Sequence, residues 1–217
     1  KIFQELPKER QTMLFSATMP AEIMKLASGH MKLPIRVEIA PAGTTADQVT
    51  QELFVVTKEQ KPALLKKLLE TYIGPTLIFT RTKYGATKVK RYIQGCGIEA
   101  AEIHSNRSLP QRREALEGFK SGKYRVLVAT DIASRGIDVV GIELVVNFDL
   151  PMTSDDYVHR IGRTARAGAK GHSITFAMPM ERREVQAIER LIKKVLPVSQ
   201  LPDLPPVVRV SGFSDEH

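Results

Sequence analysis

Residues 125–149 read RVLVATDIASRGIDVVGIELVVNFD, two short apolar runs separated by a polar loop rich in small residues. Val126 to Ala129 and Leu144 to Val146 are apolar without alternation. A strand with one face in water alternates polar and apolar residues; one that is apolar on both sides belongs inside a parallel sheet covered by helices. Leu77-Ile78-Phe79 repeats the pattern upstream.

Working outward, strands are predicted at Leu53 to Val56, Thr76 to Thr80, Ala100 to His104, Arg125 to Thr130, Leu144 to Asp149 and Ser173 to Ala177. Helical patterns fall between them at about 59–73, 83–94, 110–121, 154–165 and 181–195. Leu64, Leu65, Leu68, Leu69 and Tyr72 make a stripe at helical spacing, and Thr57 with Gln60 resembles a capping box. Gly74-Pro75 stops that helix. Strand–helix alternation of this kind predicts an α/β fold, a three-layer domain with a mostly parallel central sheet flanked by helices and right-handed crossovers.

The first forty residues differ. Thr12 to Phe15 reads as a short buried strand ending in Ser16-Ala17-Thr18. A helix of about ten residues follows Pro20, then a strand at Ile35 to Ile39. So small a piece cannot bury its own apolar surface. Residues 1–40 are therefore expected to be the end of a preceding α/β domain, 41–48 a linker, 49–198 a second domain and 199–217 a tail. An unpaired strand at Met13 to Phe15 invites association with another chain. The start at Lys1, with no methionine, agrees with a fragment.

Apolar content of 42%, charged content of 26%, a net charge of +8 and a pI near 9.6 suit a soluble protein with a polyanionic partner. Basic residues cluster beside loop motifs, which favours nucleic acid. The single cysteine, Cys96, allows neither an intrachain disulfide nor a cysteine-built zinc site and agrees with a reducing, cytoplasmic setting. No apolar run reaches membrane-spanning length, so no membrane partner is expected.

Polar residues cluster where the predicted strands end, the place where open parallel sheets bind ligands. Thr80-Arg81-Thr82-Lys83, His104-Ser105-Asn106-Arg107 and Thr130-Asp131 each follow a strand. Further on, residues 157–168 read YVHRIGRTARAG, with Arg160, Arg163 and Arg166 three residues apart. On a helical path His159, Arg163 and Arg166 would share one face. Guanidinium groups there would make a clamp for phosphate oxygens.

These segments resemble the DEAD-box ATP-dependent RNA helicases. The resemblance rests on Ser16-Ala17-Thr18, Leu77 to Thr80, Val128 to Asp138 (VATDIASRGID) and His159 to Arg166 (HRIGRTAR), in that order. It implies a RecA-like second domain preceded by the tail of a first one. Arg163 and Arg166 resemble the pair that reaches the γ-phosphate of ATP as an arginine finger does. Asp138 resembles a carboxylate that accepts from the ATP ribose, and Gly136 supplies backbone freedom in the turn before it. Arg135 is expected to face the same cleft. His159 and Arg160, with Ser16 and Thr18, resemble residues that couple the two domains. For RNA, the candidates are Arg107, Thr130 and Arg112, contacting the backbone without reading sequence. Lysines such as Lys66, Lys67 and Lys193 are expected to be solvated.

Ala165 stands where glycine is frequent in the family, and Leu109 where glutamine is. The chain has no Gly-x-x-x-x-Gly-Lys-Ser/Thr loop and no Asp-Glu-Ala-Asp box. The resemblance therefore assigns the phosphate loop and the magnesium ligands to the missing N-terminal RecA-like domain, and this piece alone is expected to be inactive. The resemblance implies an ATP-dependent RNA helicase acting on short duplexes. The alternatives are a non-catalytic RNA-binding or chaperone module, and a DNA-directed translocase of the same architecture.

Overall fold

The computed structural model describes residues 5–7, 9–16, 21–35, 37, 49–131, 138–165 and 170–205. The chain divides into two compact units, Lys1–Ala42 and Gly43–His217.

In the larger unit six strands form one wholly parallel sheet: β1 (Val49–Val55), β2 (Thr76–Phe79), β3 (Ala100–Ile103), β4 (Val126–Ala129), β5 (Leu144–Asn147) and β6 (Gly171–Ala177). Their spatial order is β1-β6-β5-β2-β4-β3. The four central and edge strands β2 to β5 are buried at every position, as their unbroken apolar runs demand.

Successive side chains of each strand point to opposite faces, so each strand feeds two cores. Ile78, Val126, Val128, Leu144 and Val146 pack on one side. They meet α2 (Lys61–Thr71) through Leu64, Leu65, Leu68 and Leu69, and α3 (Lys83–Gly95) through Val89 and Ile93. Leu77, Phe79, Leu127 and Val145 face the other way, onto Ala115 and Phe119 of α4 (Leu109–Lys120). On that side a further cluster joins Leu53 of β1 to Tyr157 and Ile161 of α5 (Ser154–Ile161) and to Val185, Ile188 and Ile192 of α6 (Arg182–Ile192). The three layers are those expected.

Local signals set the helix ends. Ser108 and Gln111 form a reciprocal capping box before α4, which the sequence reading overlooked. At Thr57 only half of the expected box is present: Gln60 Oε1 accepts from Thr57 N at 3.0 Å, while α2 itself begins at Lys61. Strand β1 starts four residues earlier than read because Gln51, though polar, is buried and accepts a 2.8 Å hydrogen bond from the Tyr157 hydroxyl. The outer edge of β1 is covered by a segment assigned to the domain end and tail. Leu53 N donates to Pro197 O and Ser199 N donates to Leu53 O, both at 2.9 Å, bridging Leu53 to Val198. Leu204 then packs against the core.

The smaller unit holds α1 (Ala21–His30), the helix expected after Pro20. The buried strand expected at Thr12 to Phe15 is not formed: these residues lie outside any strand, and Met13 and Phe15 are 65% and 82% exposed. A short apolar run becomes a buried strand only beside a ladder partner and a covering layer, and within the described residues of this unit neither is present. Ile35 is likewise exposed and outside any strand; the rest of the strand expected at Ile35 to Ile39, apart from the exposed Val37, lies outside the described residues, as does the linker 41–48.

Leu65, fully buried between α2 and the sheet, reports on this core. Leu65→Ala is expected to destabilise the larger unit by about 2–5 kcal/mol, read as a lower urea midpoint with little change in slope.

Candidate functional site

The two strands beside β2 are β4 and β5. The connection from β4 to β5 therefore passes the end of β2, and the strand order reverses there. Such a reversal opens a crevice beyond the carboxyl ends of the strands. Thr80, Thr130, Asp131 and Asp149 all follow those ends.

Arg160 organises the crevice from below. It sits in the last turn of α5 and is 1% exposed. Its Nε and Nη2 donate to the two carboxylate oxygens of Asp131 at 2.6 and 2.8 Å, and its Nη1 donates to Asn147 Oδ1 and Asp149 O at 3.2 and 2.6 Å. The guanidinium also lies 5.0 Å from the Phe79 ring centroid. A bidentate guanidinium–carboxylate pair has little freedom, and burial makes each bond count. Arg160 thus ties α5 to the ends of β2, β4 and β5. All three guanidinium nitrogens hydrogen-bond within this unit, at a residue for which the resemblance implies a role in coupling the two domains. His159, one residue earlier, is partly exposed and faces Asp156, with Nδ1 at 4.0 Å from Oδ1.

A second brace runs alongside. Lys61, buried at the start of α2, donates to Phe148 O at 2.7 Å and to Asp149 Oδ1 at 3.0 Å. Asp149 Oδ2 accepts from Arg81 N at 3.1 Å, and Arg81 Nη2 reaches Glu181 Oε1 at 3.3 Å. Neither Lys61 nor Glu181 stood out in the sequence. A lysine at a helix start is ordinarily solvated, and only the fold brings Asp149 to it.

The arginine segment does not continue as a helix. Gly162 caps α5, and Arg163 follows in a turn whose N–H donates to Arg160 O at 3.1 Å. The shared helical face of His159, Arg163 and Arg166 is therefore not formed up to Arg163. Thr164 turns inward, buried, and its hydroxyl donates to Ile142 O. Ala165 takes φ +53°, a left-handed conformation that glycine adopts without strain. Gly171 makes room for this turn: a Cβ there would lie 2.0 Å from Thr164 Oγ1 and 2.6 Å from Ala165 N. Arg163 is half-buried, and Asp138, between β4 and β5 in sequence, is exposed. Gly136, Arg135, Arg166 and Thr18 lie outside the described residues; Ser16, in the smaller unit, is exposed.

At the sheet edge, the residues expected to meet RNA are held differently. Thr130 N donates to Ile103 O at 3.3 Å, so its own amide serves the sheet and not a ligand. Arg112, half-buried in the first turn of α4, has a shielded Nε with no hydrogen-bond partner among the described residues. Arg107 pairs with Glu102, a buried carboxylate on edge strand β3. Glu102 also accepts from Thr87 Oγ1 at 2.7 Å, lies 3.1 Å from His104 Nε2, and is 3.4 Å from Lys90 Nζ. Burial alone would raise its pKa, but the hydrogen bonds from Thr87, Arg107 and His104 and the Lys90 charge together pull it down to about 2. An acid inside the run Ala-Ala-Glu-Ile, just before His104 and Arg107, was the signal that the sequence reading passed over. Lys66, Lys67 and Lys193 are exposed, as expected.

Two outcomes follow from these contacts. Because the folded chain binds fewer protons at Glu102 than the unfolded one, stability is full above about pH 4.5 and falls as pH drops toward 2. Urea midpoints of Glu102→Gln are expected to lose this part of the acid slope; an unchanged slope would refute the coupling. Ala165→Gly relieves a left-handed alanine and is expected to stabilise by about 0.5–1 kcal/mol after the entropy cost of glycine, seen as a higher urea midpoint.

The helicase conserved C-terminal domain family matches residues 60–168, from the start of α2 to the arginine turn. The chain is 36% identical over 205 residues to the DEAD-box ATP-dependent RNA helicase RhpA of Helicobacter pylori, covering 94% of this chain and 42% of the relative. It is 39% identical over 225 residues to the ATP-dependent RNA helicase RhlB of Shewanella halifaxensis, covering 100% and 52%. The chain thus spans about half the length of the relatives it matches. Among solved structures, S. cerevisiae Dbp5 bound to RNA and ADP BeF3 superposes with a TM-score of 0.83 at 28% identity, covering 91% of this chain and 53% of that one. E. coli DEAD-box protein SrmB, bound to regulator of ribonuclease activity A, gives 0.68 at 32%, covering 74% and 96%. A parallel RecA-like sheet, a braced arginine turn at its carboxyl edge and these likenesses place the chain in the DEAD-box family, through its helicase conserved C-terminal domain.

Proposed function

We infer that this chain is the carboxy-terminal half of an ATP-dependent RNA helicase that opens short duplexes locally. The observation that carries the reading is the buried Arg160–Asp131 brace. It bolts the helix that leads into the turn of Arg163 to the end of β4, where Thr130 and Asp131 follow the strand. The residue types suit a nucleoside triphosphate: a guanidinium to donate to phosphate oxygens and a carboxylate to accept from ribose hydroxyls. ATP, when bound, supplies the phosphoryl group whose transfer drives the cycle.

In this reading Arg163 and Arg166 stabilise charge at the γ-phosphate, Asp138 holds the ribose, and Gly136 gives the turn before Asp138 its backbone freedom. His159, Ser16 and Thr18 couple the motif to the preceding domain. Arg160 acts as a positioning residue. The preceding RecA-like domain supplies the phosphate loop and the magnesium ligands, and it covers the apolar residues Met13, Phe15 and Leu33 that stand exposed here. RNA lies along the carboxyl edge on Arg107, Thr130 and Arg112, contacted through its backbone. ATP and RNA together draw the two domains closed, and phosphate release reopens them. The site of action is the cytoplasm. Support comes from the family membership, from the relatives' names and from the fit of the chain to Dbp5, a structure that carries RNA and ADP BeF3.

The test joins this chain to a domain carrying the phosphate loop and measures RNA-stimulated ATP hydrolysis. Arg163→Ala is expected to slow turnover about a thousandfold or more, while this chain by itself hydrolyses nothing. Unchanged turnover in Arg163→Ala would remove the finger assignment.

A further inference from the structure

Beside the row of strand ends, a groove of about 380 Å³ opens between α3 and the β3–α4 loop. Lys83, Tyr84, Lys88 and Arg91 line it from α3, Asn106 and Arg107 from the loop. Tyr84, Lys88 and Arg91 recur at helical spacing, so they form one ridge along the groove. Four cationic side chains border it and no carboxylate does. The nearest acid, Glu102, has a side chain only 3% exposed and is shared by Lys90 and Arg107, so it offsets little of the field at the mouth. Tyr84 is 69% exposed although it is a large aromatic, and Lys83 Nζ stands 5.2 Å from its ring centroid while donating to Asn106 Oδ1 at 3.0 Å. An exposed ring among cations is the combination that holds single-stranded nucleic acid: phosphates follow the charge and a base stacks on the ring.

We propose that this groove is a further nucleic-acid contact, which takes an unpaired RNA extension leaving the duplex, with a base stacked on Tyr84 and phosphates on Lys88 and Arg91. The proposal rests on the RNA reading above and adds to it a contact with a base, where the strand-end row touches only backbone. It gives the chain a preference for duplexes that carry a single-stranded extension. Tyr84, Lys88 and Arg91 are exposed, so their replacement leaves the core intact.

Fluorescence anisotropy of this chain tests it with three probes: a blunt RNA duplex, the same duplex with an RNA extension, and that extension made abasic. The natural extension is expected to tighten binding about tenfold, and the abasic one to lose most of that gain. Tyr84→Ala abolishes the gain and Tyr84→Phe keeps it. Lys88→Ala combined with Arg91→Ala lowers the salt slope for the extended probe by about 1.4. The proposal is overturned if the extension adds nothing, or if its gain survives both Tyr84→Ala and the double replacement. That failure is separable from failure of the RNA reading. In the first case the blunt duplex still binds and Arg112→Ala weakens it; in the second, neither duplex binds the unaltered chain.

Discussion

The pair of the buried Arg160 with Asp131 is the contact on which the carboxyl edge of this sheet depends. Strand ends are where a parallel sheet is least constrained, because the ladder stops and the loops diverge. Here one guanidinium gathers the ends of β2, β4 and β5 under α5 through a carboxylate, an amide oxygen, a main-chain carbonyl and an aromatic face. Removing Asp131 would leave the buried Arg160 guanidinium without its counter-charge, a cost of about 3–5 kcal/mol. A flexible edge would suit a binding surface poorly. The brace holds that edge in one geometry, and the turn of Arg163 follows it.

The same device recurs at a smaller scale on each side. Lys61 and Asp149 hold the β5 end to α2. Glu102 holds Arg107, Lys90 and His104 at the sheet edge and keeps its charge because those partners outweigh its burial. In all three cases an ion pair with one buried member stands directly beneath a loop that carries cationic or hydroxyl groups outward. Arg160 and Lys61 are the buried members of their pairs; at the sheet edge it is the carboxylate, Glu102, that lies beneath its cations. There Arg107 and Lys90 face outward with their neutralising partner behind them.

Much of the fold was legible in the linear order. Runs such as Val-Leu-Val-Ala and Leu-Val-Val are apolar on both faces, and this local property already demands cover on both sides. The four helices between strands and the one after the last strand were found within a few residues because their stripes have helical spacing. Boundaries failed where a polar residue was buried by a distant partner, as at Gln51 under Tyr157, and where a helix signal ran into a glycine cap, as at Gly162. The strand expected at Met13 to Phe15 failed for a different reason: a strand is a pairwise object, and an apolar run cannot supply its own partner. The candidate site divides the same way. The residue types of the arginine segment and of the Thr130-Asp131 loop stood out. Which arginine turns inward and which follows it in the turn did not.

By itself the sequence determined the layer pattern, the positions of the loops and the chemical kinds of side chain at the sheet's carboxyl edge, since these depend on local periodicity and composition. Only the tertiary structure decided that Arg160 is interior, that Ala165 is left-handed opposite Gly171, and that Glu102 stands beneath Arg107. The first two depend on the meeting of Asp131 with Arg160 and of Thr164 with Ile142 across long stretches of chain. No local rule encodes such meetings; they arise when the sheet closes and each buried polar group must find its partner.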